Sequence, residues 1–296
     1  MRAAFPVLIS GVFYKHLTND VDVVIGRPPC QGLTRNWIIM LLQFRRTIPF
    51  GDENISFSSS YNDYLIEVEK YILTLREPVA KTIRRIEKST RIFTEKIYGY
   101  LPTAGEMKWP VLEPNYNADV TRLVPFHEAY SYDITDAVIY FYINDDLFLR
   151  IFTNPDKYLP FLRRCKAVIG PDMSQYTDMP AEMRYRHAWC NTTMSVYLQE
   201  GGVNLYPNIT WSRSDSYSYS FPQNLRNSVI AINSNGVYKS DLSLYRWKCG
   251  YRMAMMTLSP LHVIRFGKLV DGEDTSISSY FSNERINMLR NGSKRK

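Results

Sequence analysis

Three aspartates raise the chemical question. Asp145 and Asp146 are adjacent in "FYINDDLF" and Asp172 opens the loop "GPDMSQYTDMP", each just after a short apolar run. Hard carboxylate oxygens gathered at one point bind Mg²⁺ or Mn²⁺, with a phosphate or sugar hydroxyl completing the shell. Alternatively, two carboxylates can divide into an acid and a base, as in glycoside cleavage. Both chemistries use the same residues, so the sequence leaves them open. Ser174 and Tyr176 lie in the Asp172 loop, Asn208 and Trp211 in "NLYPNITW", and Asn233 and Ser234 in "AINSNG". Ser174 and Asn208 read as orienting groups, and Trp211 with Tyr176 as a platform for a base or a sugar ring. There is no Walker loop, no G-x-G-x-x-G after a strand, no G-x-S-x-G and no H-E-x-x-H. His187, in "RYRHAWCN", reads as a structural or rim residue.

The elements that would position these groups are short runs, apolar on both faces: "AVIYFYI" (137–143), "AVIG" (167–170), "VNLYP" (203–207), "SVIAI" (228–232) and "LHVIRFG" (261–267). Helical patterns at 158–166, 181–200 and 245–258 separate most of them; the second starts after Pro180 and stops at Gly201-Gly202. A serine- and tyrosine-rich loop, 211–222, fills the remaining gap. Strands alternating with helical crossovers predict an α/β fold with a mainly parallel sheet, either open or curled into a partial or complete TIM-like barrel. In both architectures ligands gather at the carboxyl ends of the strands. Any one polar residue there is explained as a helix cap or a turn. Five strand ends that all carry such residues, Arg265 near the end of the last run included, predict one shared cleft.

Ahead of this region, 61–98 is helical and broken once, at Pro78, which suits the first turn of a second helix. That helix sets Val79, Ile83, Ile86, Phe93 and Ile97 on one face and Lys81, Arg84, Arg85, Lys88 and Arg91 on the other. The basic face reads either as a solvated surface, with Glu77 and Glu87 each four residues before a cation, or as a track for a nucleic-acid backbone, with Arg45 and Arg46 assisting. "VDVVIG" (21–26) reads as a strand, and "WIIMLLQF" (37–44) is undecided between helix and strand. The turn-rich stretch 101–117 marks a boundary. The predicted organisation is a helical N-terminal extension over 1–104, an α/β core over 105–275 and a basic tail over 276–296.

The charge of +7 suits a polyanionic partner without requiring one. Cys30, Cys165, Cys190 and Cys249 are dispersed with no CxxC pair, which argues for reduced thiols and against a zinc ribbon. No segment reaches the length of a membrane span, so the expectation is a cytoplasmic protein without a membrane partner.

The motifs "LVPFHEA" (123–129), "FYINDDLFLRIFTNPDKYLPFL" (141–162), "VIGPDMSQYTDMP" (168–180), "YLQEGGVNLYPNITW" (197–211) and "SVIAINSNGV" (228–237) resemble, in order, those of the domain of unknown function 4417. The resemblance runs over about 109–267. It implies a protein of phages, prophages and other mobile elements, and hence a host-cell cytoplasmic location. It aligns the family's paired acids with Asp145 and Asp146, its P-D-x-S with Pro171, Asp172 and Ser174, its D-M-P with Asp178 to Pro180, and its strand-end tryptophan with Trp211. Two departures stand out: Tyr140 replaces a usual histidine, and "HAWCNTT" replaces an Asn-x-x-Arg pattern. The family implies no reaction. The expectation drawn from the residues is an α/β enzyme with a carboxylate-rich cleft, a metal-dependent hydrolase of a phosphodiester or nucleotide, with Asp145, Asp146 and Asp172 as metal or acid/base groups. The alternatives are a non-catalytic nucleic-acid- or protein-binding module and a glycoside hydrolase-like barrel.

Overall fold

A computed structural model of the chain describes residues 48–50, 53–55, 61–97, 101–104 and 109–282. The readings of "VDVVIG", "WIIMLLQF", Arg45, Arg46 and the side chain of Ile97 lie outside the described residues.

Two antiparallel pairs come first and in passing: β1 (Ile48–Phe50) with β2 (Glu53–Ile55), and β3 (Thr103–Ala104) with β4 (Trp109–Pro110). The architecture is α/β with parallel sheets. Strands β5 (Leu123–Pro125), β6 (Val138–Tyr140), β7 (Ala167–Ile169) and β8 (Leu205–Tyr206) form one parallel sheet in sequence order. Strands β9 (Val229–Asn233), β10 (His262–Phe266) and β11 (Ser278–Phe281) form a second. A parallel bridge between Asn208 and Ala231 joins the two, so all seven strands run in chain order.

Helices α1 (Tyr61–Leu73) and α2 (Glu77–Ile97) precede the sheets. The crossovers carry α3 (Leu149–Thr153), α4 (Pro155–Leu162), α5 (Ala181–Glu200), the one-turn α6 (Tyr217–Ser220) and α7 (Asp241–Leu258). The strands are buried on both faces because alternate residues enter two different cores. Val124, Ile139, Val168, Ile230 and Val263 pack against helices. Their neighbours Leu123, Val138, Ala167, Val229 and Ile264 join Tyr140, Phe266 and Phe281 in a second cluster on the other face. The rings of Tyr140 on β6 and Phe266 on β10 have centroids 4.8 Å apart. Four strand steps in a flat sheet would separate them by about 19 Å, so the sheets curl toward their inner face.

The N-terminal helices share the helix-side core rather than standing apart, through Tyr64, Val68, Ile72, Ile83, Ile86 and Phe93. Pro78 sits in the first turn of α2 as its fixed φ requires. Val79 is exposed and Ala80 is buried in its place. Glu87 does not serve the surface of its own helix: its carboxylate turns inward and meets Arg186 on α5 at 2.6 Å. The stretch read as a tail from 276 begins with β11, which completes the second sheet. Among the described residues no helix is long and apolar enough to cross a membrane.

Candidate acid-base cleft at the strand ends

The carboxyl ends of β6, β7 and β9 open on a cleft of about 510 Å³, within the range of roughly 300–1,000 Å³ usual for small-ligand sites. One wall is the loop after β7, from Asp172 to Asp178; another is the turn at 236–239 with Ser243, Arg246 and Trp247 on one face of α7.

Asp172 is held from both sides by carboxamides. Asn208 Nδ2 donates to Oδ1 at 3.0 Å and Asn233 Nδ2 to Oδ2 at 2.7 Å. Neither amide can turn over without loss. Asn208 Oδ1 accepts from the Tyr142 hydroxyl at 3.0 Å, and its Nδ2 also donates to the Pro171 carbonyl. Asn233 Oδ1 accepts from the Asn235 backbone N–H at 2.8 Å. These direct partners are neutral, so burial prevails. It pushes the Asp172 carboxyl up to about 6, assisted by the charge of Asp145 and opposed by the hydrogen bonds from Asn208, Asn233 and Thr210. A carboxyl that titrates near neutrality in a cleft can take or give a proton at working pH.

The three aspartates separate. Asp145 is buried behind the loop, where Oδ1 accepts from the Ser174 N–H at 3.2 Å. Burial raises its carboxyl, against the Ser174 hydrogen bonds and the charge of His187. Asp146 turns outward to α2, pairing with Arg85 at 2.6 Å and accepting from Thr82 Oγ1 at 2.8 Å. The cause is local. Both lie in one 3-10 turn, Asp145–Leu147, where successive side chains point about 120° apart. The expected grouping of Asp145, Asp146 and Asp172 around one metal is therefore absent, and among the described residues no three His, Cys, Asp or Glu side chains form a metal-ligating group.

Of the other expected residues, Ser174, Tyr176, Trp211 and Asn233 line the cleft, and Asn208 is tied to it through Asp172. Ser234 is buried elsewhere, its hydroxyl donating to the Lys268 carbonyl at 2.6 Å. Arg265 lies buried beneath Trp247, 4.8 Å from its ring, with Nη2 donating to Glu273 at 2.8 Å. On α2, Arg84 meets Glu69 and Arg85 meets Asp146, whereas Lys81, Lys88 and Arg91 are exposed.

Sequence reasoning missed Tyr142, Lys239, Arg246 and Trp247. Trp247 Nε1 donates to the Asn233 carbonyl at 3.0 Å and braces the second clamp on Asp172. Lys239 and Arg246 bring positive charge to the cleft and have no ion-pair partner among the described residues. A usable signal existed: Ser243, Arg246, Trp247 and Gly250 recur at helical spacing on one face of α7. Gly250 is the contact point, since a Cβ there would enter the Trp211 indole. The missing side chain lets Trp211 lie against the helix and meet Trp247 at 5.7 Å.

Over 158 residues the chain is 23% identical to the Gene 1 protein of Mycobacterium phage D29, a match covering 52% of this chain and 57% of that protein. It is 24% identical to the Gene 1 protein of Mycobacterium phage L5 over 158 residues, 52% of this chain and 67% of that one. The match thus spans little more than half of the D29 protein. No solved structure matches the chain. Residues 101–282 match the profile described as Domain of unknown function (DUF4417), and with more than half of its length inside that match the chain belongs to this phage-associated family.

Proposed function

We propose that the cleft binds a nucleotide or phosphodiester and carries out proton transfer in its hydrolysis, with Asp172 as the group that moves the proton. The observation that carries this reading is the clamped Asp172 carboxyl, raised to about 6 at the wall of a ligand-sized cleft. Trp211 and Tyr176 supply ring surfaces for a base, and Lys239 and Arg246 supply the charge that a phosphate needs. Asp172 would take the proton of an attacking water as the P–O bond breaks, and the leaving oxygen would receive it. On this reading the curled run of seven strands is a partial barrel with its site at the usual end. The helices before residue 101 are an extension fused to it, and the protein works in the cytoplasm of an infected host.

The test is the melting temperature and binding heat of the full chain with a nucleoside monophosphate, the bare nucleoside and inorganic phosphate. Saturable binding of the monophosphate, weakened by Lys239→Ala with Arg246→Ala and altered in pH dependence by Asp172→Asn, is expected. No binding of any of the three would remove the reading.

A second reading, a nucleic-acid surface, is favoured by Lys81, Lys88 and Arg91, which are exposed along α2. It predicts salt-sensitive oligonucleotide binding that Lys88→Ala with Arg91→Ala weakens and Asp172→Asn leaves intact.

A further inference from the structure

Helix α2 lies outside the residues that match the family, yet its Glu87 reaches a buried site directly behind the cleft. Glu87 Oε2 accepts from Arg186 Nη1 at 2.6 Å and from the Tyr64 hydroxyl at 2.8 Å. Its Oε1 lies 3.3 Å from Nε2 of His187, a side chain with no solvent exposure. The other ring nitrogen, Nδ1, lies 2.6 Å from the Ser174 carbonyl oxygen. Both nitrogens thus face oxygens that can only accept, because Arg186 keeps Glu87 ionised. A neutral imidazole has one N–H and one lone pair, so either tautomer would set a lone pair against an oxygen. A ring with two N–H groups satisfies both contacts.

We propose that His187 is a buried imidazolium, and that Glu87 acts through it as a positioning residue that fixes the Ser174 loop of the cleft. Charge balance supports this. Arg186 and His187 are set against Glu87 and Asp145, Tyr64 from α1 and Cys190 on the same helix also act on Arg186, and Asp146 is engaged outside by Arg85. The loop is held from two sides at one residue: the Ser174 carbonyl accepts from His187, and its N–H donates to Asp145. Two residues before it is Asp172, and two after it is Tyr176. The acid that secures this arrangement comes from the extension, so the matched domain does not complete its own site. The positioning role rests on the cleft being the functional site; the charge on His187 does not.

The experiment is nitrogen-15 NMR of the full-length protein labelled at histidine, with His187 assigned by comparison with His187→Gln. At neutral pH two protonated ring nitrogens are expected. One unprotonated nitrogen would overturn the proposal whether or not any nucleotide binds. Backbone hydrogen exchange then separates positioning from bulk stability. In Glu87→Gln, amides at 173–176 should exchange faster by about tenfold while those of α7 hold their rates, and equal acceleration everywhere would overturn the positioning role. Should that variant not fold, the same comparison is made with Glu87→Asp, whose shorter side chain keeps the charge but draws it back from His187; the same selective acceleration at 173–176 is expected, and uniform acceleration would overturn the positioning role.

Discussion

Asp172 and Glu87 are both part-buried carboxylates, and their surroundings drive them in opposite directions. Burial alone would raise both. At Glu87, Arg186, His187 and Tyr64 override it and hold the carboxyl at about 2. At Asp172 the hydrogen-bonding groups are carboxamides and a hydroxyl, and the carboxyl rises to about 6. The first site keeps its charge, and the second holds its proton more tightly than a free carboxyl does. Full countercharge removes reactivity, whereas neutral hydrogen bonds preserve it and still fix the geometry.

The largest expected effect comes from breaking the paired site. Glu87→Ala leaves Arg186 and His187 buried without their anion and should cost about 3–5 kcal/mol in urea unfolding. A cost no greater than that of Asp172→Ala would erase the contrast.

The pH dependence of stability comes next, because the two sites predict opposite slopes. Asp172 is raised from 3.8 to about 6, so the folded state binds its proton first and stability grows as pH falls from about 6 to about 4. That change is about 3 kcal/mol and should vanish in Asp172→Asn. Glu87 is lowered from 4.5 to about 2, so the unfolded state binds its proton first and stability is lost as pH falls through that window. Stability should therefore peak between about pH 4 and 5; a flat profile from neutrality to that point would show that Asp172 is not raised.

Gly250→Ala should cost about 1–3 kcal/mol by overpacking and shift tryptophan fluorescence as Trp211 is displaced from α7. Unchanged emission would mean that the cleft wall is not held as described. The smallest effect belongs to the exposed ion pair of Arg85 and Asp146. Arg85→Ala should cost no more than about 1 kcal/mol, and a larger loss would place Asp146 among the structural acids beside Glu87.

The strands were legible because β-branched runs apolar on both faces require burial on both, and α5 matched its Pro180 and Gly201 signals. Strands β5 and β11 were not, because Pro125 cuts the Leu123-Val124 pair short and Ser278 and Ser279 leave β11 without an apolar run. The strand-end rule pointed to Asp172, Asn208 and Asn233, polar immediately after apolar runs, and the structure brings these three into hydrogen-bond contact. It erred at Asp146 because adjacent residues in a tight turn face different ways. It could not find Glu87 with His187, whose contact spans 100 residues of sequence and leaves no local trace.

Asn208 has a double attachment. Its backbone bridges to Ala231 where the two sheets meet, and its side chain grips the acid of the cleft. Any parting of the sheets there would loosen the grip on Asp172, and the proton affinity of that carboxyl would report it. A single residue therefore makes the titration of one acid a gauge of mechanical integrity across the seam, readable without unfolding the protein.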